Sequence, residues 1–174
     1  MALALCLLFD SRTDRLVREL WERLETRGIR TLFSHTHGRH HPHLSYAVLR
    51  EWDFDAVRAA VAGLPDEGAI EVAVQGSVVF PRGRVSLACS VTADLTTRQE
   101  RAVAELQSTR SDLHWHYQTG RWVPHVSVAT GASADQLSVI TAAVSDVLPL
   151  TLHADRAALI DSGTGDLWPL DGVP

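Results

Sequence analysis

One stretch of eight residues occurs twice in this chain, and that repetition limits the fold more than any other feature. Residues 38–45 read GRHHPHLS and residues 120–127 read GRWVPHVS. Gly, Arg, Pro, His and Ser match at the same internal spacing, and His125 lies 82 residues after His43. Similarity at one fixed offset marks a doubled unit rather than a long array.

The surrounding pattern follows the same offset. Residues 2–9 are a short apolar run, expected as a buried strand, and its image 84–91 is a β-branched, apolar run. Asp10 or Ser11 can cap a helix over 12–27, whose Leu16, Val17, Leu20, Trp21 and Leu24 share one face. Gly28 ends it, and its image is a helix over 95–109. Residues 29–34 are expected as a strand leading into the histidine stretch. Strands over 43–49 and 122–130 carry the repeated motif. Asp53 can cap a helix over 54–64. Its image, Asp135, lies at the start of a helix over 134–147, for which Ser133 is the cap. The runs 69–80 and 84–91 form a hairpin around a tight turn at 81–83, and 150–160 and 167–170 close the chain as strands. The order strand, helix, histidine strand, helix, strand thus occurs twice, in one domain over 1–174 with halves of about 1–82 and 83–174.

The repeat also sorts the histidines. The run SHTHGRHHPH holds five of the nine, His35, His37, His40, His41 and His43. Only His43 has a counterpart, His125. Side chains at i and i+2 of a strand face the same side, so His43 projects with Ser45 and His125 with Ser127, while Leu44 and Val126 point into the packing. A pseudo-twofold between the halves would set two His-x-Ser pairs across a groove. Two opposed imidazoles suit displacement at phosphorus, one as base and one as acid, because the ordinary histidine pKa near 6.5 allows either role. The serine hydroxyls can donate to non-bridging phosphate oxygens. Arg39 and Arg121 precede their histidines at equal spacing and are candidate phosphate clamps.

The motifs His43-Leu44-Ser45-Tyr46-Ala47 and His125-Val126-Ser127-Val128-Ala129 resemble those of the 2H phosphoesterase superfamily, also called the 2′-5′ RNA ligase-like or LigT-like family. The resemblance covers essentially the whole chain, with serine where threonine is commoner. It implies an α+β, bilobal fold with two antiparallel sheets lining a central groove and helices outside. It also implies metal-independent action, without a cofactor, on 2′,3′-cyclic phosphates or 2′-5′ linkages of nucleotides and RNA ends, with 2′-5′ ligation as the reverse reaction. Tyr46 and Trp122 are expected to contribute to substrate binding by base stacking, with Trp115 and Phe33 as further aromatic candidates.

Composition narrows the chemistry. The chain has no lysine, so lysine Schiff-base chemistry and a lysine phosphate loop are out of reach. The net charge of −5 disfavours a long duplex partner, so that of the partners the resemblance implies, a nucleotide cyclic phosphate or a short RNA end is expected. Cys6 and Cys89 read as buried, reduced thiols. The apolar start meets Asp10 after nine residues, too few to span a bilayer, and a cytoplasmic monomer is expected. Two other readings compete. His35-Thr36-His37-Gly38-Arg39-His40 resembles the HxHxDH signature of metallo-β-lactamase-fold enzymes, with Arg39 in the aspartate position. That points to a metal-dependent hydrolase built on the His35–His43 cluster. The other is a non-catalytic nucleotide- or RNA-binding module.

Overall fold

Side-chain caps begin the helices, at Asp10 and Asp53 as expected and at Thr92 for the helix expected over 95–109. Asp10 accepts from the Thr13 N–H at 2.7 Å, Asp53 from Ala56 at 3.1 Å, and Thr92 from Leu95 at 3.2 Å. The computed structural model describes all residues, 1–174. In chain order the elements are β1 (Leu3–Phe9), α1 (Ser11–Glu25), β2 (His43–Leu49), α2 (Phe54–Ala62), β3 (Ile70–Phe80) and β4 (Arg84–Cys89). They continue as α3 (Ala93–Ser108), a 3-10 turn at Trp115–Tyr117, β5 (His125–Ala129), α4 (Ala134–Ser145), β6 (Leu150–Asp161) and β7 (Leu167–Pro169).

The class is α+β, as expected, but the two separate sheets are not what forms. All strands join in one antiparallel sheet ordered β2-β1-β6-β3-β4-β5, with β7 paired to β6. The cause is strand length. β3 has 11 residues and β6 has 12, so each serves two partners. The first part of each pairs with the first part of the other, from Ile70↔Ala154 to Val74↔Leu150. Their later parts pair with β4 and β1 respectively.

The ladder maps onto itself when a residue is exchanged for the one 80 positions away. Leu7↔Ala157 becomes Leu87↔Ser77, and Val72↔Leu152 becomes itself. The offset of 82 belongs to the motif strands: Cys6 pairs with Ser45 and Ser86 with Ser127. Both offsets are even, so every side chain keeps its face. The fourth helix shows the same adjustment, because its cap is Ser133 and Asp135 sits in its first turn.

One face of the sheet carries Leu5, Leu7, Leu44, Leu87 and Val126 into a core shared with helix residues such as Val17, Trp21, Val57, Leu95 and Val103. The other face carries the motif side chains over a small apolar floor of Ala4, Cys6, Leu8, Ala158 and Ile160. The helices cross between the halves. α1 packs on α4 and on β5, and α3 packs on α2 and on β2. Each motif strand is therefore supported by a helix from the other half of the sequence.

The strand expected at 29–34 does not form. The Glu25 carboxylate accepts from the Thr31 N–H, the Thr31 hydroxyl and the Ser34 hydroxyl, and the Thr31 hydroxyl accepts from Phe33 N–H. These local bonds satisfy the backbone in place of a ladder. No helix is long and apolar enough to cross a membrane.

Candidate active site

Both motif histidines stand at the first residue of an edge strand and are preceded by proline. Proline holds the residue before it extended and has no N–H of its own. In each copy the carbonyl two residues upstream meets the imidazole. His43 Nδ1–H donates to the His41 carbonyl at 2.7 Å, and His125 Nδ1–H donates to the Val123 carbonyl at 2.7 Å. A carbonyl only accepts, so the proton sits on Nδ1 and Nε2 is left as the reacting atom in both rings.

The edge strands β2 and β5 approach within 8 Å between Cα atoms, although they lie at opposite ends of the strand order. Both imidazoles are half-buried. Burial holds His43 below the ordinary histidine pKa, and the neighbouring His125 charge adds to this while the His41 carbonyl opposes it. Burial also depresses His125, with the charges of His116 and Arg84 adding and the Val123 carbonyl opposing. The Phe80 ring packs against His125 at 4.7 Å between centroids.

A bulge follows the motif in each strand. The pairing skips Tyr46 between Ser45 and Ala47, and skips Val128 between Ser127 and Ala129. The carbonyls just before the bulges are taken by indole donors. Trp122 Nε1–H donates to the Ser45 carbonyl at 3.1 Å, and Trp21 Nε1–H to the Ser127 carbonyl at 3.0 Å. The Gln99 amide donates to the carbonyls of Tyr46, at 3.0 Å, and Tyr117, at 2.9 Å. Ser45 is buried, 3.5 Å from the Cys6 sulfur. The Tyr117 hydroxyl lies beside the same two residues, and burial pushes it up to about 12.

Several expected residues stand elsewhere. Tyr46 is fully buried with its ring edge-on to Trp122, so it offers no face to a base. Trp122 is half-buried and braces β2. Arg39 turns to the Thr164 carbonyl in the β6–β7 turn, and Arg121 lies over the Trp115 ring. Trp115 and Phe33 remain exposed. Arg84, Phe80, Gln99 and Tyr117 escaped the sequence reading. Alternation along β4 was the one available signal, since it puts Arg84 on the face of Ser86. Two cavities, about 540 Å³ beside α1 and about 350 Å³ beside α2, contain neither motif histidine.

The histidine-rich loop does not assemble a ligand set for the metal-dependent alternative. His40 stacks with His35 and tilts against His37, at 5.7 and 4.2 Å between centroids. His37 Nδ1 accepts from the Arg39 N–H and His40 Nε2 bonds the Thr36 hydroxyl, so these nitrogens are occupied within the loop. Nowhere do three His, Cys, Asp or Glu side chains group as metal ligands.

An antiparallel scaffold that brings two proline-led His-x-Ser strands face to face is that of the two-histidine, LigT-like phosphoesterases. The chain belongs to the 2′-5′ RNA ligase superfamily, whose family profile matches residues 13–166. Among solved structures it is similar to E. coli LigT in its apo form, with a TM-score of 0.64 and 11% identity over 98% of this chain and 94% of that one. It is also similar to Kluyveromyces marxianus Usb1 with uridine monophosphate, with a TM-score of 0.56 and 15% identity over 97% and 98%. E. coli LigT complexed with 3′-AMP matches with a TM-score of 0.61 and 12% identity, over 97% and 94%. No curated protein matches by sequence.

Proposed function

We propose that this protein is a metal-independent phosphodiesterase that opens 2′,3′-cyclic phosphates or cleaves 2′-5′ linkages at nucleotide and RNA ends. The observation that carries this reading is the matched pair of imidazoles, each with Nδ1–H held by a carbonyl and Nε2 free. One neutral Nε2 takes a proton from the attacking water. The oxygen of that water forms the new bond to phosphorus, and the bond from phosphorus to the ribose leaving oxygen breaks. The other imidazole, protonated, gives its Nε2 proton to that oxygen. With a 5′-hydroxyl in place of water, its oxygen bonds phosphorus of a 2′,3′-cyclic phosphate, the bond from phosphorus to the 3′ oxygen breaks with that oxygen taking the imidazolium proton, and a 2′-5′ linkage forms; the reverse of this step, with the histidine roles swapped, cleaves the linkage. Ser45 and Ser127 donate to the non-bridging oxygens as charge redistributes. Trp115, 50% exposed, is the aromatic candidate for contact with a base, by its open edge beside Arg121 and His116. LigT complexed with 3′-AMP and Usb1 with uridine monophosphate are in keeping with a nucleotide partner.

The test is turnover of 2′,3′-cyclic nucleotides and 2′-5′ dinucleotides with and without EDTA. Activity should survive EDTA and fall about 10²- to 10⁴-fold in His43→Ala and in His125→Ala. Activity lost to EDTA, or kept by both variants, overturns the reading. Tight nucleotide binding without turnover of any substrate would make the chain a binding module.

A further inference from the structure

We propose that Arg84 binds the substrate's phosphate anion on the second half of the groove and makes an otherwise matched site asymmetric. The proposal deepens the phosphodiesterase reading and rests on it. Arg84 opens β4, directly opposite Phe80, whose ring packs on His125. Two residues on, Ser86 lies opposite Ser127, and two further, Ala88 lies opposite His125. Alternation puts Arg84, Ser86 and Ala88 on one face, which is the face of the motif side chains. Arg84 is thus paired with Phe80 on β3 and shares its face with the residues of β4 that pair with Ser127 and His125 on β5.

The two arginines of the repeated motif are engaged, Arg39 with the Thr164 carbonyl and Arg121 with Trp115. Arg84 is exposed and enters none of the salt bridges. Its charge also reaches other segments around the groove, adding to burial in depressing His35 and His114 as well as His125. Its backbone is anchored by the preceding glycine. The Gly83 carbonyl accepts from the Ala132 N–H at 2.8 Å, at φ +66°, and a Cβ there would run into the Ala132 backbone. The head group is free while its base is held, which suits an anion-binding fork.

The asymmetry follows from the register. Exchange by 80 residues carries the pair Ala4↔Ile160 onto Arg84↔Phe80. The first half therefore presents a methyl group where the second presents a cation. His43 and His125, matched in the carbonyl that holds each Nδ1–H, face different surroundings, and an anionic phosphate is drawn toward the His125 side.

Binding of 2′-AMP and of adenosine, followed by NMR titration, separates this role from a structural one, with KM and kcat for 2′,3′-cyclic AMP as the kinetic readout. Arg84→Gln should weaken 2′-AMP about 10- to 100-fold and leave adenosine unchanged. It should raise KM more than it lowers kcat, and Arg84→Lys should recover part of the affinity. Arg58→Gln, the same charge change on α2 at the helical face, should bind as the wild type does. Unchanged 2′-AMP affinity in Arg84→Gln, or equal loss for adenosine, overturns the proposal. A wild-type protein that binds no 2′-AMP overturns this proposal and the phosphodiesterase reading together. Loss of 2′-AMP in Arg84→Gln alongside full turnover by both histidine variants upholds Arg84 and overturns the two-histidine mechanism.

Discussion

Gln99 gives the sharpest test of how the groove is held. It sits on α3, 1% exposed, and its amide nitrogen donates to two backbone carbonyls from separate segments. One belongs to Tyr46, the bulge residue of β2. The other belongs to Tyr117, whose hydroxyl lies beside Ser45. Gln99→Met keeps the length of the side chain and removes both donors. Each carbonyl left without a partner costs about 1–3 kcal/mol, and the Tyr117 carbonyl, being partly accessible, falls at the low end. The sum is about 2–4 kcal/mol, or a fall of about 4–16 °C in Tm for a chain of this size. Gln99→Glu should be worse, because it sets a carboxylate against two carbonyl oxygens. Calorimetry on the three proteins measures the effect. A Gln99→Met melting temperature within about 1 °C of wild type, at odds with the lost hydrogen bonds, would refute the bracing role. Turnover should fall as well, since an error of about 1 Å at a catalytic group costs on the order of 10²-fold.

Other expectations concern pH and the indole braces. His43 and His125 both titrate below the ordinary histidine value, so the form with one imidazole charged and one neutral is most abundant below about pH 6.5. A bell-shaped kcat/KM profile centred above pH 7 would contradict this. Burial, with the charges of His37, His43 and His35, lowers His40 to about 4. The unfolded chain therefore takes up that proton first, and the stability present above about pH 6.5 is lost as pH falls toward 4. His35, His41, His43 and His125 are lowered too and act in the same direction. Melts from pH 7 to 4 should show the decline, with a shallower slope in His40→Gln. Trp21→Phe and Trp122→Phe each leave a motif carbonyl without its indole donor. Each should lose about 1–3 kcal/mol in denaturant titrations, and equal stability of either variant with wild type would count against the brace.

Much of the scaffold was legible because its signals are local. Period-two alternation placed His43 with Ser45 and His125 with Ser127, and the caps at Asp10, Asp53 and Ser133 read directly from the chain. The same alternation, applied one residue further, puts Tyr46 beside Leu44 and away from the groove, where it is found. The expectation that Tyr46 stacks a base set that pattern aside. The strand expected over 29–34 failed for a different reason, since apolar Ile29 and Leu32 are buried while Glu25, on the preceding helix, captures the backbone between them.

The sequence by itself determined the doubled order of elements and the two His-x-Ser strands, because each is written in short-range periodicity or in a repeat, and the α+β class came with the family resemblance that those strands carry. Only the tertiary structure decided that the two halves share one sheet, that α1 and α3 support each other's motif strands, and that the register of β1 and β4 runs at 80 rather than 82. It also decided which polar side chains reach the groove. Arg39 and Arg121 occupy matching positions in the repeat, yet they end on Thr164 and Trp115, while Arg84, outside the repeated motif, enters no salt bridge and shares a strand face with Ser86. A long side chain goes where its hydrogen-bond and stacking partners are, and those partners come from segments far away in the chain.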